Sequence, residues 1–150
     1  PSTQPRMWTF SLATGDLLFH ELVAHGSNSS APGNPAMVGA MSNINGSHMS
    51  SLGLMRTAET YQGSNGYSLR IDGFEPGFND AVRPRAIVFH AADYATASFA
   101  ASNGYLGRSW GCPAVDPAVA TALIDTIKNG TLYMSHFSGD SAWVSGSSYL

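Results

Sequence analysis

Short, strand-length runs of apolar residues dominate the first half of the chain. Residues 6–12 and 16–24 are two such runs, joined by Ala13-Thr14-Gly15. A short glycine-containing connection between such runs predicts a β-hairpin. Residues 52–61 contain a further strand, and residues 67–72 alternate between polar and apolar side chains, which is the period of a half-buried strand. We therefore expect four strands in this half.

Two irregular segments interrupt these strands. Residues 26–51 are rich in Gly, Ser, Asn and Pro, and residues 73–84 contain several turn-forming residues. The first segment, about 25 residues long, exceeds what compact domains usually tolerate without a function or some structure of its own. We interpret it as a flap or substrate-facing loop, because strands resume directly after it.

The second half begins with a buried strand and a short helix. Residues 85–90 are a continuous apolar strand that ends on His90. Residues 93–102 predict a short helix, with Asp93 as its N-cap and Gly104 as its end.

A stronger helix signal follows at Asp116-Pro117, where a capping residue precedes a proline suited to the first helical position. Apolar residues at helical spacing continue from there to Asn129-Gly130. Residues 132–137 predict a last strand. We expect the Ser/Gly-rich tail to be partly ordered, because Trp143 and Tyr149 are costly to leave exposed.

About six strands and two short helices, without regular β–α alternation, predict one domain over residues 1–150. The expected fold class is mainly β, with a closed or nearly closed sheet (β-sandwich or barrel-like) and the helices outside it.

Composition narrows the function classes. The net charge is −3 without a basic run, which argues against nucleic acid as a partner. No apolar stretch approaches the ~20 residues that span a bilayer. The first residues lack the pattern of a signal peptide, which fits a mature exported domain as well as a cytosolic one. Only 11% of residues are charged and Ser, Gly, Asn and Thr are abundant, which favours an envelope or secreted protein.

Metal and disulfide chemistry receive little support. A single cysteine excludes internal disulfides and cysteine-rich zinc sites. The remaining histidines have no metal-ligand spacing, and we expect structural roles for His20, His25, His48 and His136.

The single cysteine, Cys112, lies in the segment Arg108-Ser109-Trp110-Gly111-Cys112-Pro113. A cysteine nucleophile needs a base, a group that orients the base and N–H donors for the oxyanion. His90 lies 112 − 90 = 22 positions upstream, at a predicted strand end. Gly111 removes side-chain bulk beside the thiol, and Pro113 keeps Cys112 out of the helical region.

Two neighbours of the thiol are candidates for supporting roles. Ser109 is close enough in sequence to orient His90 or to bind substrate. Arg108 could lower the pKa of the thiol or hold a substrate carboxylate, since cations favour the thiolate.

A structural role for Cys112 is the competing interpretation. A lone cysteine is more often a small core hydrophobe than a nucleophile. Core cysteines usually lie in apolar periodic runs, whereas Cys112 lies between glycine and proline. The residues alone leave both interpretations open.

The segment 109–113, together with Val88-Phe89-His90-Ala91-Ala92, resembles the signature of the L,D-transpeptidase (YkuD-type) catalytic domain. That signature is a histidine followed, after roughly fifteen to twenty residues, by Ser-x-Gly-Cys. The motif sequence in this chain is most similar to that of the second YkuD subfamily, which is found in many Gram-negative envelopes. The resemblance runs from about residue 7 to about 135 and includes Leu22-Val23-Ala24-His25-Gly26, Glu59-Thr60-Tyr61-Gln62-Gly63 and Glu75-Pro76-Gly77-Phe78-Asn79.

The resemblance implies a mainly β fold around a curved sheet and a murein transpeptidase that needs no cofactor. Cys112 would attack the carbonyl of the L-centre in a tetrapeptide stem, with His90 as base. Ser109 or a backbone carbonyl just after His90 would fix the histidine tautomer. The N–H groups of Gly111 and Cys112 would form the oxyanion hole.

The resulting thioester would pass to a second stem, giving a 3→3 cross-link, or to another amine or water. The implied partners are peptidoglycan stem peptides and carbapenem β-lactams, and the implied location is the periplasm or cell envelope. Candidate substrate-binding residues are Arg108, Trp110, Tyr61, Arg70, Asn79 and Ala91. For Arg70 an exposed ion pair with Asp72 is an alternative.

The chain departs from the family pattern at two positions. Many members have histidine where Trp110 stands, and Arg or Asn where Ala114 stands. Substrate choice is therefore open, and a same-fold hydrolase acting on muropeptides or a non-catalytic peptidoglycan-binding module are the alternatives.

Overall fold

A five-stranded sheet with strand order β8-β7-β6-β5-β9 forms the centre of the molecule. The computed structural model describes residues 1–139 and 141–149. The strands of this sheet are β5 (Gly53–Gly63), β6 (Gly66–Gly73), β7 (Val88–Ala91), β8 (Ala114–Val115) and β9 (Leu132–Ser135). All its pairs are antiparallel except β7 with β8. The sheet curls into a half-barrel, so the prediction of a mainly β fold is confirmed.

In the part of the chain that the structure describes, two small hairpins lie outside the central sheet. β1 (Met7–Phe10) pairs with β2 (Leu17–Glu21), as the sequence predicts. β3 (Ser30–Ala31) pairs with β4 (Asn34–Val38) inside the long irregular segment. The segment 26–51 therefore has structure of its own.

The described residues also form three α-helices: α1 (Ala97–Asn103), α2 (Pro117–Ile127) and α3 (Ser141–Gly146). α2 begins as predicted, since the Asp116 side chain accepts a hydrogen bond from Ala118 N–H and Pro117 takes the first position. None of the described helices is long and apolar enough to cross a membrane.

The main core lies between α2 and one face of the sheet. Leu69 and Phe89 are directly paired on β6 and β7, so their side chains share a face. Both are buried in one cluster with Leu123 and Ile124 of α2. Burial of each such side chain contributes about 1.5–3 kcal/mol, which holds β7, and with it His90, in place.

Local turns shorten two predicted elements. β7 begins at Val88 and not at Arg85, because Arg85 and Ala86 belong to a turn in which Ala86 has φ = 55°. α1 is capped by Thr96, whose hydroxyl accepts from Phe99 N–H, and not by Asp93, which starts a separate 3₁₀ turn. Gly104 ends α1 as predicted, with φ = 77°.

The C-terminal segment is anchored through α3. Trp143 is buried and donates from its indole N–H to the carboxylate of Glu75, while Tyr149 is mostly exposed. Burial acts to raise the pKa of Glu75, but hydrogen bonds from Ser147, Leu54 N–H, Trp143 and Asn79 hold that pKa below its ordinary value.

Candidate active site

The segment that carries Cys112 connects α1 to β8 and is fixed by residues far away in sequence. Ser109 N–H donates to the His25 carbonyl at 3.1 Å, and Ser27 N–H donates to the Ser109 carbonyl at 2.8 Å. Ala24 N–H donates to the Ala114 carbonyl, also at 2.8 Å. The residues following β2 therefore hold the backbone on both sides of the cysteine.

Gly111 has a backbone conformation and surroundings that only glycine fits. Its φ is +119°, outside the range that other L-residues readily adopt. A Cβ there would lie 2.6 Å from the Met49 carbonyl oxygen and 2.7 Å from Ile87 Cδ1. The chain before Cys112 thus runs directly under the 26–51 segment.

Ser109 closes a tight turn around the cysteine. Its hydroxyl donates to the Cys112 carbonyl at 2.6 Å and accepts from Gly111 N–H at 3.1 Å. Ser109 therefore positions the cysteine backbone and makes no hydrogen bond to His90. The Gly111 N–H, expected at the oxyanion hole, is engaged by this hydroxyl.

The Cys112 thiol lies against the start of β7. Sγ accepts from Val88 N–H at 3.4 Å and is 3.7 Å from the Ala86 carbonyl. Burial raises the pKa of the thiol, while the Val88 N–H and Arg85 act to lower it. Because the net shift is upward, the thiol is protonated at neutral pH and needs a base to become a nucleophile.

His90 has one nitrogen engaged, and the acceptor it meets identifies the tautomer. Nδ1 is 2.8 Å from the carbonyl oxygen of Ala91. A carbonyl only accepts hydrogen bonds, so Nδ1 must carry a proton, and in the neutral ring Nε2 is the basic nitrogen. Of the two orienting groups considered from the sequence, the structure shows the backbone carbonyl.

Strand pairing brings the histidine and the cysteine to the same edge of the sheet. His90 pairs with Ala114, two residues after Cys112. The thiol sulfur accepts a hydrogen bond from Val88 N–H, and Val88 lies two residues before His90 on the same strand. Both side chains therefore belong to the junction of β7 and β8.

Arg85, and not Arg108, is the arginine whose charge favours the thiolate. The Arg85 guanidinium donates to the Met49 and Ser42 carbonyls at 2.7 Å each and also to Ser51 and Ser47. It thereby fastens the 26–51 segment beside the cysteine. The sequence offered no signal for this role, because Arg85 stands at the edge of an apolar run.

Arg108 and Trp110, just before the cysteine in the chain, have their side-chain contacts outside the thiol turn. Arg108 is exposed, lies over the Tyr105 ring at 5.2 Å and reaches Ser30 at 3.5 Å. Trp110 is 74% exposed and stacks on His48, with ring centroids 4.7 Å apart. This pair links the cysteine segment to the 26–51 segment on the outside.

Two predicted substrate-binding residues, Arg70 and Tyr61, contact each other. Arg70 shares a sheet face with His90, but it pairs with Glu59 at 3.2 Å and lies over the Tyr61 ring at 4.2 Å. The predicted alternative, a pair with Asp72, is not formed, since Asp72 pairs with Arg56 and Arg83.

The prediction that Asn79 binds substrate is not supported by its position. It is fully buried, its amide N–H groups donate to the Leu52 and Leu54 carbonyls and to Glu75, and its oxygen accepts from Glu75 N–H. Asn79 therefore fastens a loop onto β5 and is closed off from any substrate in this structure.

A cavity of about 790 Å³ adjoins the cysteine segment. Gly111 and Pro113, the two neighbours of Cys112 in the chain, form part of its wall. Most of the wall is apolar and comes from the β1–β2 hairpin, the inner sheet face and β9, including Met7, Trp8, Phe10, Met55, Phe89 and Tyr133. Arg6 and His25 also line it, and sequence reasoning assigned them no such role.

In the described part of the chain, no group of three or more His, Cys, Asp or Glu side chains is placed to hold a metal ion.

A family model for the L,D-transpeptidase catalytic domain matches residues 1–136 of the 150. Comparisons with curated proteins and with solved structures give no significant match.

Proposed function

The chain belongs to the L,D-transpeptidase catalytic domain family, and from this premise we propose that it is a cysteine-dependent peptidoglycan transpeptidase. Its acyl donor is a tetrapeptide stem and its covalent intermediate is a thioester on Cys112. The product is a 3→3 cross-link or a bond to another amine acceptor. The proposed location is the periplasm or cell envelope.

One observation carries the proposal: the Nδ1–H of His90 is held by the Ala91 carbonyl at the junction where Cys112 is placed. This arrangement leaves a basic nitrogen on His90, which lies on the same strand as the Val88 N–H that contacts the thiol. A structural cysteine would not require a tautomer-fixed histidine on the neighbouring strand. The arrangement matches the nucleophile–base–orienter order of covalent catalysis.

In the first half-reaction, His90 Nε2 takes the thiol proton and Sγ attacks the carbonyl carbon of the L-centre. A C–S bond forms, and the negative charge on the carbonyl oxygen faces the N–H of Cys112. When this intermediate collapses, the C–N bond to the terminal D-residue breaks. The protonated His90 supplies the proton that the leaving amine needs.

In the second half-reaction, an amine of the acceptor attacks the thioester carbon. His90 now accepts a proton from the attacking amine, the C–S bond breaks and an amide bond forms. The sulfur recovers a proton from His90, which restores the starting state. Water in place of the amine gives hydrolysis.

The decisive test is intact-mass analysis after incubation with a carbapenem, whose strained amide can acylate the thiol. We expect one adduct on the wild-type chain and none on Cys112→Ala. If the wild-type chain also stays unmodified while its thiol reacts with iodoacetamide, the proposal loses its main support and a non-catalytic binding module becomes the better explanation.

A second experiment separates transfer from hydrolysis. The enzyme is given a disaccharide-tetrapeptide with and without an added amine acceptor. Transpeptidation predicts an amide-linked product that depends on the acceptor. Free tripeptide as the only product in both reactions would show a cysteine hydrolase.

A further inference from the structure

The basic residues of this protein fall into two groups. The chain has seven Lys and Arg residues. Four of them form ion pairs with carboxylates: Arg56, Arg70, Arg83 and Lys128. Among residues 1–139 and 141–149, no carboxylate lies within ion-pair distance of the other three, which are Arg6, Arg85 and Arg108. All three lie around the candidate active site.

Only one of these three arginines both lines the cavity and keeps free donors. Arg85 directs both of its Nη atoms to the 26–51 segment, Arg108 is exposed, and neither of them lines the cavity. Arg6 lines the cavity beside Gly111 and Pro113. Of the three, Arg6 is therefore the arginine that an acyl donor bound in this cavity would meet.

The hydrogen bonds of Arg6 fix the direction of its guanidinium. Nε and Nη2 donate to the Val23 carbonyl at 3.2 and 2.8 Å, and Nη2 also donates to His25 Nδ1 at 2.7 Å. An arginine has five N–H donors, so the two on Nη1 have no protein partner in the described part of the chain. No buried polar side-chain atom there is unsatisfied, which means that Nη1 is accessible.

His25 holds the guanidinium without adding a second charge. Burial, followed by the charges of Arg6, Arg108 and the N-terminal amine, lowers the pKa of His25 to about 4. The ring is therefore neutral near pH 7 and accepts from Arg6 through Nδ1, while Nε2 faces the Ser30 hydroxyl at 3.2 Å.

No carboxylate of the described residues lies close enough to compensate the positive charge of Arg6. Burial lowers the pKa of Arg6, and nearby Tyr133 offsets only part of that effect. A carboxylate bound at Nη1 would supply the missing counter-charge through charge-assisted hydrogen bonds, which are strongest in such partly desolvated sites. Arginine is well suited to this task because its planar fork matches carboxylate geometry.

We propose that Arg6, held by Val23 and His25, binds a carboxylate of the acyl-donor stem inside the cavity that Gly111 and Pro113 border. The proposal rests on the proposed function, because the ligand is the donor whose carbonyl Cys112 attacks. It assigns a specificity role to the start of the chain, which contributes no group to the chemical steps.

The test uses synthetic tetrapeptide donors in which each carboxylate in turn is replaced by a carboxamide. The measured quantity is kcat/KM for donor consumption. For the wild-type enzyme we expect one amidated donor to be about 10- to 100-fold poorer, the range for a hydrogen bond to a charged group. Arg6→Gln should lower kcat/KM for the carboxylate donor by a similar factor and leave the amidated donor nearly unchanged.

Arg56→Gln is the matched control, because it also removes one positive charge but lies in an exposed ion pair. It should keep the wild-type preference among donors. If amidation of no carboxylate matters to the wild-type enzyme, the proposal is overturned without reference to any variant. It is also overturned if Arg108→Gln, and not Arg6→Gln, abolishes the preference.

The outcomes distinguish this proposal from the proposed function. An enzyme that consumes every donor equally would remain a transpeptidase without an Arg6 carboxylate site. A protein that consumes no donor and takes up no carbapenem would contradict the proposed function itself. Should Arg6→Gln fail to fold, Arg6→Lys retains the charge but loses the fork, and a donor preference equal to wild type would count against carboxylate binding through Nη1.

Discussion

The imidazole of His90 donates its Nδ1–H to the carbonyl oxygen of Ala91, the next residue in the chain, at 2.8 Å. The proposed base and its orienting group are thus adjacent along one strand. The orienting group is part of the backbone, so no substitution at position 91 removes it. The hydrogen bond consequently determines which ring nitrogen of the neutral imidazole is left basic.

His90→Ala should therefore abolish acylation without loss of the fold. Removal of a general base typically costs 10²- to 10⁴-fold in rate. The rate is followed by the mass of the carbapenem adduct, and the fold by far-UV circular dichroism. Added imidazole should restore part of the lost rate. An unchanged acylation rate would remove His90 from its role as base.

Replacement of Arg85 should raise the pKa of the thiol further. In the native protein the charge of Arg85 acts to lower that pKa, against the larger effect of burial. The midpoint of the pH profile for iodoacetamide alkylation of Cys112, the only cysteine, should move to higher pH in Arg85→Gln.

Arg108→Gln is the control for that experiment, since the sequence alone pointed to Arg108 as the activating cation. Its alkylation midpoint should stay at the wild-type position. A shift in Arg108→Gln without one in Arg85→Gln would contradict the assignment.

Gly111→Ala should destabilise the protein far more than an alanine at another glycine of positive φ. Gly46 has φ = +75° with no atom near its missing Cβ, whereas a Cβ at Gly111 would overlap the Met49 carbonyl and Ile87. We expect a loss of about 1 kcal/mol for Gly46→Ala from backbone strain and about 2–4 kcal/mol for Gly111→Ala. Urea denaturation measures the loss of unfolding free energy for both variants. Equal losses would show that the 26–51 segment moves aside at little energetic cost.

His25 should make stability depend on pH. Its folded pKa of about 4 lies below the ordinary 6.5, so the unfolded chain binds more protons between these values. Stability therefore falls as pH decreases from 6.5 toward 4, by up to about 3 kcal/mol from this group. His25→Gln should be less stable at pH 7 but flatter in this window, as measured by urea denaturation at several pH values. If the stability of His25→Gln depended on pH as steeply as that of the wild type, His25 would be excluded as the cause.

Trp143 should matter to stability although it lies beyond the residues matched by the family model. Its indole N–H donates to the buried carboxylate of Glu75. Trp143→Phe keeps an aromatic ring but leaves that acceptor short of a donor, at a cost of about 1–3 kcal/mol. Val144→Ala, at an exposed position of the same helix, should change stability by less than about 0.5 kcal/mol. Similar effects of both substitutions in urea denaturation would contradict this anchoring role.

The sequence determined the features that depend on local chemistry. A short glycine-containing connection identified the β1–β2 hairpin, and Asp116-Pro117 identified the start of α2. The sequence also identified Cys112 and the upstream His90 as candidate active-site residues for the same reason. Residue type, spacing and capping are all properties of a few consecutive positions.

The tertiary structure decided which distant groups meet. Ser109 was expected beside His90 but closes the turn at Cys112, and Asn79 was expected in a cleft but is buried under β5. Arg85 acts on a thiol 112 − 85 = 27 positions away, and Arg6 lines the same cavity as Gly111, 111 − 6 = 105 positions away. Such contacts follow from strand order and sheet curvature, which arise from burial summed over the whole chain, so no short segment specifies them.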